Sequence, residues 1–217
     1  MPHIYTVTLN PALDKTVHIP NFTVDQVNRI TWLRQDAGGK GINVSKVIAK
    51  LGGESTAIAV LAGQTGQWIA NTLSENNIKV QAISVPGETR TNLKVVDAER
   101  STHTDINEPG PEVTDDLLNQ ALADVISKTS DGDIAVLSGS LPRGASTDTY
   151  ARWTYAMRSA GLKVYLDADG SALSAGLEQK PYFTKPNDHE LSAMLNRELT
   201  NVDEIAAAAS EIVAGGI

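Results

Sequence analysis

Residues 38–61 read GGKGINVSKVIAKLGGESTAIAVL, and this stretch sets the fold class. Ile42, Val47, Ile48 and Leu51 recur at helical spacing. Gly52-Gly53 ends the helix, because glycine enters the left-handed backbone of a helix C-terminus without steric cost. Thr56–Leu61 follows as a short apolar run of the kind a strand shows when both its faces are covered. A glycine turn, an amphipathic helix and a buried strand in direct succession are part of a βαβ unit.

The alternation extends in both directions. Ile4–Leu9 reads as a strand, and Trp68, Ile69, Thr72 and Leu73 share one helical face. Leu117, Leu118, Ala121, Leu122, Val125 and Ile126 form the clearest helix. Thr114 suits its N-cap, Asp115 and Asp116 favour the positive end of its dipole, and Val113 can staple onto Leu118. Ile134–Leu137 is a buried-type strand. A helix around Tyr150, Trp153 and Met157, a strand at Val164–Leu166, a short helix at Ser171–Leu177 and a strand at Tyr182–Thr184 follow. Helices over 188–195 and 202–213 close the sequence, the second with Val202, Ile205, Ala206, Ala209, Ile212 and Val213 on one face. This order predicts an α/β fold, with a central, mostly parallel sheet covered by helices on both faces. Residues 16–34 and 89–106 alternate polar and apolar without helical period. They are expected to be half-exposed strands outside the main sheet, as in a lid or an interface sheet. The last helix stops at Gly215-Gly216, with only Ile217 after it. In a βα chain such a pair normally hands over to another strand, so residues 1–217 are expected to be the N-terminal part of one domain.

Composition narrows the function classes. The chain has 217 residues, a formal charge of −8 and no cysteine. Disulfides, thiolate catalysis and cysteine-based metal sites are therefore excluded. The acidic balance, without a lysine or arginine run, speaks against nucleic acid or an anionic membrane as partner. Met1-Pro2-His3-Ile4 lacks a signal-peptide pattern, and a cytoplasmic location is the expectation.

Several short motifs bear chemistry. Gly38-Gly39-Lys40-Gly41-Ile42-Asn43 opens a helix, where backbone N–H groups and a lysine can face an anion. It is neither of two familiar phosphate loops: a Walker A motif needs glycine at Arg34 and Ser/Thr at Gly41, and the dinucleotide fingerprint needs glycine at Val44. An ordinary glycine turn fits equally well. Asp14, in Asn10-Pro11-Ala12-Leu13-Asp14, lies beyond the first strand, where ligands of parallel sheets collect. Taken alone, an Asn-Pro turn with a solvated aspartate explains it. Arg90, within Thr89-Arg90-Thr91-Asn92, is placed on a strand and can fork onto phosphate. Ser138-Gly139-Ser140-Leu141-Pro142 lacks the order of a nucleophile elbow. Asp167 and Asp169 form an acidic pair that fits a metal, a shared proton or a plain turn. Asn187 and Glu190 match a capping box, which needs no catalysis. The four histidines are scattered, and no histidine metal motif occurs.

Taken in order, these motifs resemble the ribokinase-like, PfkB-type carbohydrate kinases, within them the phosphofructokinase branch. The resemblance runs from Thr8-Leu9-Asn10-Pro11-Ala12-Leu13-Asp14 through Gly38–Val44, Thr89-Arg90 and Ser138–Pro142 to Lys185-Pro186-Asn187 with Glu190-Leu191. It implies a three-layer αβα fold with a small β lid, and transfer of the ATP γ-phosphoryl to a phosphosugar with magnesium. Asp14 and Asn43 would hold sugar hydroxyls, with Gly38 and Gly39 admitting the backbone. Lys40 and Arg90 would neutralise the phosphate already on the sugar, with Ser140 nearby. Lys185, Asn187 and Glu190 would face the ATP phosphates, Glu190 reaching Mg2+ through water. The lid would support a homodimer. Asp167-Ala168-Asp169-Gly170 departs from the family's Asp-(Thr/Ser)-Ser-Gly, so Asp169 has no assigned role. The family's Gly-Ala-Gly-Asp segment, with its general-base aspartate, is absent and is expected beyond Ile217. Without it the 217 residues alone are expected to be inactive. Lys40 and Val27-Asn28-Arg29 favour fructose 1-phosphate or tagatose 6-phosphate as substrate, whereas Leu191–Val213 looks closer to a 6-phosphofructokinase. Fructose 1-phosphate is preferred. A non-catalytic sugar-phosphate-binding protein is the alternative of another class.

Overall fold

The computed structural model describes residues 2–217. In chain order the elements are β1 (Ile4–Thr8), β2 (Ala12–His18), β3 (Trp32–Gly38), α1 (Lys40–Lys50), β4 (Thr56–Leu61), α2 (Gly63–Glu75) and β5 (Lys79–Ser84). They continue as β6 (Thr91–Asp97), β7 (Thr102–Asn107), α3 (Asp115–Ile126), β8 (Ile134–Ser138), α4 (Thr149–Ser159) and β9 (Lys163–Asp167). The last are α5 (Gly170–Leu177), β10 (Phe183–Thr184), α6 (Asp188–Leu195) and α7 (Val202–Ala214).

The main sheet runs β10-β9-β8-β1-β4-β5, and all of its pairings are parallel. From β1 the chain moves one way to β4 and β5, then returns to β8 on the other side of β1. The crevice between the C-terminal ends of β1 and β8 is thus the switch point, where α/β sheets bind ligands. Alternation along β4 shows the layering. Ala57, Ala59 and Leu61 pack with Ile42 of α1 and Ile69 and Leu73 of α2. Ile58 and Val60 face the opposite core, with Leu118, Trp153 and Leu173. The Thr114 side chain caps α3, accepting from the Leu117 N–H, and Val113 and Leu118 are buried in the same core.

The second sheet runs β3-β2-β6-β7, with β2 and β6 parallel and the outer pairs antiparallel. Its strands differ from the expected ranges. Within 16–34, residues 19–31 lie outside the strands, and strand structure extends instead to Ala12 and Gly38. Sequence reading missed β5, an edge strand whose alternation buries Ile83 alone. It also misjudged two helix faces. Helix α1 buries Gly41, Ile42 and Ser45 while Leu51 is exposed, and α7 buries Ala208 while Val202 and Val213 are exposed. In α1 the buried face rests on small and polar contacts: Ser45 Oγ meets Thr6 Oγ1 at 2.7 Å and receives Ser55 Oγ at 2.9 Å. A purely apolar pattern could not reveal that face. Among the described residues, no helix is long and apolar enough to cross a membrane.

Candidate active site

The site begins where β1 ends. The chain leaves Thr8, turns through Asn10-Pro11 and enters β2, so Asp14 sits on the second sheet rather than just past a strand of the main one. In register, Asp14 faces Asp36 on β3 and Asn92 on β6, and its Oδ1 accepts from Asn92 Nδ2 at 3.0 Å. Gly38, at the end of β3, lies under this carboxylate; a Cβ there would fall 2.0 Å from Asp14 Oδ2. Gly39 then turns with φ +126° into α1.

One face of the small sheet forms two polar rows, Asp14, Asp36, Asn92 and Asn107, then Thr16, Arg34, Lys94 and Asp105. With Asn43 and Lys46 of α1 these rows line a cavity of about 510 Å³. Arg34 pairs with Asp36 at 2.7 Å and Lys94 with Asp105 at 3.6 Å, while Lys46 Nζ donates to the Ala37 carbonyl at 2.8 Å. Such a surface offers hydroxyl-binding carboxylates and amides next to cations. Sequence reading named Asp14 and Asn43 and missed the others. Only the strand register, which brings 16, 34, 94 and 105 into one row, reveals them.

Lys40, from the same glycine motif, lies apart from this cavity. It is the first residue of α1, and its Nζ reaches Asp167 Oδ1 at 3.1 Å. Asp167 Oδ2 accepts from Ser138 Oγ at 3.2 Å, and the Asp167 carbonyl accepts from the Gly139 N–H at 2.9 Å. Asp169 is exposed at the N-cap of α5 without a side-chain cap bond.

Arg90 precedes β6 rather than lying within it. The segment before it is anchored to α2. Glu88 accepts from the N–H groups of Gln64 and Thr65, and the Ala62 N–H donates to Thr89 Oγ1 at 2.9 Å. Hydrogen bonds from Thr65, side chain and backbone, hold the Glu88 carboxyl below its usual range. The Arg90 guanidinium donates to the carbonyls of Asn10 at 3.0 Å, Pro11 at 3.4 Å and Glu108 at 3.5 Å. Burial lowers its pKa, with the Asp14 carboxylate pulling the other way. Ser140, in the loop after β8, receives a hydrogen bond from Asn10 Nδ2 at 3.2 Å.

Lys185 follows β10 and, with Ser138 and Asp167, lines a second and mostly apolar cavity of about 320 Å³ against Ile4, Val44 and Phe183. Asn187 caps α6, and the capping box is present. The Glu190 N–H donates to Asn187 Oδ1 at 2.7 Å, and the Asn187 N–H donates to Glu190 Oε2 at 2.8 Å. Among the described residues, no three His, Asp or Glu side chains cluster as a metal cage. Mg2+ commonly binds through one or two carboxylates, waters and substrate phosphates, and a single Glu190 with a second oxygen outside the capping box fits that mode.

Residues 7–217 match the pfkB family of carbohydrate kinases. The chain is 37% identical over 213 residues to 1-phosphofructokinase from Bacillus subtilis strain 168, covering 98% of this chain and 69% of the relative. It is 35% identical over 211 residues to tagatose-6-phosphate kinase from Staphylococcus epidermidis strain RP62A, covering 96% and 67%. The crystal structure of phosphofructokinase-2 from Escherichia coli in complex with fructose-6-phosphate superposes with a TM-score of 0.93 at 36% identity, covering 100% of this chain and 71% of that one. The chain belongs to the pfkB carbohydrate kinase family.

Proposed function

We propose that this pfkB-family chain carries the sugar side, and part of the nucleotide side, of an ATP-dependent phosphosugar kinase. The substrate is a ketohexose monophosphate, with fructose 1-phosphate preferred and fructose 1,6-bisphosphate as product. The observation that carries the reading is that Asp14 and Asn43, from two separate motifs, line one polar cavity between the small sheet and α1. Asp14 and Asn43 hold sugar hydroxyls. Arg90, Ser140 and Lys40 meet the phosphate already on the sugar, for which Lys40 exchanges Asp167 for the substrate. Lys185, Asn187 and Glu190 face ATP, which brings magnesium as charge neutralisation. Phosphoryl transfer depends mainly on such positioning and neutralisation. Residues 1–217 hold no Gly-Ala-Gly-Asp segment to supply a general base, and on this reading they catalyse nothing when taken alone. The outer face of the small sheet, where Leu33 and Ile106 are exposed, supports a homodimer through the lid, which sedimentation tests.

The substrate is tested by calorimetric titration of fructose 1-phosphate, fructose 6-phosphate and tagatose 6-phosphate onto the 217-residue chain, and by ADP release from a protein that also carries the general-base segment. Preference for fructose 6-phosphate, the sugar named for the Escherichia coli structure, would move the assignment to a 6-phosphofructokinase. Binding without ADP release by the protein in any form would favour a regulatory sugar-phosphate binder.

A further inference from the structure

Asn10 sits in the turn between β1 and β2, directly above the switch point, and is 8% exposed. Two of the groups assigned to the sugar phosphate converge on it from distant parts of the chain. Its backbone carbonyl accepts from Arg90 Nη2 at 3.0 Å, and the adjoining Pro11 carbonyl accepts from Arg90 Nε at 3.4 Å. The Arg90 carbonyl in turn accepts from the Leu13 N–H at 2.9 Å. Its side chain points the other way, across the crevice: Nδ2 donates to Ser140 Oγ at 3.2 Å and to the Leu141 carbonyl at 3.3 Å.

We infer that Asn10 is a positioning residue that fixes Arg90 and Ser140 relative to one another as a single phosphate-facing pair. The inference rests on the phosphosugar reading given above. Asn10 Oδ1 is buried and without a partner, which costs stability. Gly110, with φ +81°, leaves the space beside it, since a Cβ there would lie 2.8 Å from that oxygen. The amide is retained for its two donors. They are the only hydrogen bonds described between the Asn10 side chain and the loop after β8, and they hold in place the peptide whose carbonyl orients the guanidinium. Asn10 itself touches no substrate atom; it acts through Arg90 and Ser140.

The test uses the 217-residue chain as wild type, Asn10→Ala and Asn10→Asp. Asp has the size of Asn but turns both donors into acceptors, so it carries the measurement should the alanine variant lose its fold. Without ligand, nuclear magnetic resonance reads solvent exchange of the Arg90 Nε–H. Both variants should speed it by about fivefold or more while the circular dichroism spectrum is kept, a loss of roughly one hydrogen bond. Unchanged Arg90 exchange would overturn the inference. With ligand, Asn10→Ala should bind fructose 1-phosphate about tenfold more weakly, as expected for a loosened charge-assisted contact, and fructose within twofold of wild type. Equal losses for the two sugars would reduce Asn10 to a structural role. Failure of the wild type to bind any of the three sugar phosphates would count against the proposed function instead, and Arg90 exchange would still decide the role of Asn10.

Discussion

The Lys40 ammonium and the Asp167 carboxylate meet at 3.1 Å, joining the first residue of α1 to the last residue of β9. Both side chains keep substantial exposure, 46% and 29%, so the bond is held near water and costs little to exchange. An anion arriving at the helix start competes with Asp167 for the same cation.

Lys40→Ala should therefore weaken phosphosugar binding by the value of a charge-assisted contact, about 1.5–3 kcal/mol less whatever the Asp167 pairing already holds. ATP affinity should change little. Calorimetry with each ligand checks this, and equal losses for both would remove Lys40 from the sugar side.

Gly38→Ala tests the floor of the cavity. The added methyl would lie 2.0 Å from Asp14 Oδ2, so the carboxylate that accepts from Asn92 must shift. Sugar affinity should fall at least tenfold, with about 1–3 kcal/mol of stability lost to overpacking. Thermal melting and sugar titration on one sample separate the two effects; unaltered sugar binding would place Asp14 outside the site.

Asn187 and Glu190 hold a helix start and are proposed to face a nucleotide, and two substitutions separate these duties. Asn187→Ala should cost about 1 kcal/mol of stability through the lost cap. Glu190→Gln keeps a residue able to complete a capping box but removes the charge. It should leave the melting temperature within a few degrees while weakening binding of ATP with magnesium. An intact nucleotide titration in Glu190→Gln would limit Glu190 to the capping role.

Asp97 makes the small sheet sensitive to acid. Burial pushes its carboxyl up, but backbone N–H groups of Asn21, Arg100, Phe22 and Glu99 outweigh this and hold the pKa below its ordinary 3.8. A lowered folded-state pKa contributes stability that is complete above the unfolded value and is lost as pH falls through the folded one. Acid melting followed by Trp32 fluorescence should thus show loss of the small sheet below about pH 4, where an unpaired carboxyl would titrate. In Asp97→Asn that pH dependence should flatten.

The main sheet was legible because its signals are local. The run Thr56–Leu61 is buried on both faces, Ile134–Leu137 alternates buried with half-buried side chains, and Thr114 and Asn187 cap the helices their spacing announced. The small sheet was legible only as a lack of helical period. Its strands are half exposed, and a one-residue shift in their ends inverts every side chain. Asp14 was found by its motif, whereas its partner Asn92 depends on a parallel register between segments 78 residues apart. The Lys40–Asp167 pair, 127 residues apart, left no spacing to read.

That parallel pairing of β2 with β6 also bears on how the molecule acquires its cavity. Two strands must find each other across the whole β3–α1–β4–α2–β5 stretch, and contacts so distant in sequence are slow because loop closure comes before any reward. The neighbouring hairpins, β2 with β3 and β6 with β7, close locally and can form early. A chain with both hairpins folded but not yet joined has Asp14 and Asn92 on separate pieces and no polar cavity between them. Ligand capable of bridging the two then acts on the last stage of assembly, slowing separation of the hairpins rather than speeding their formation.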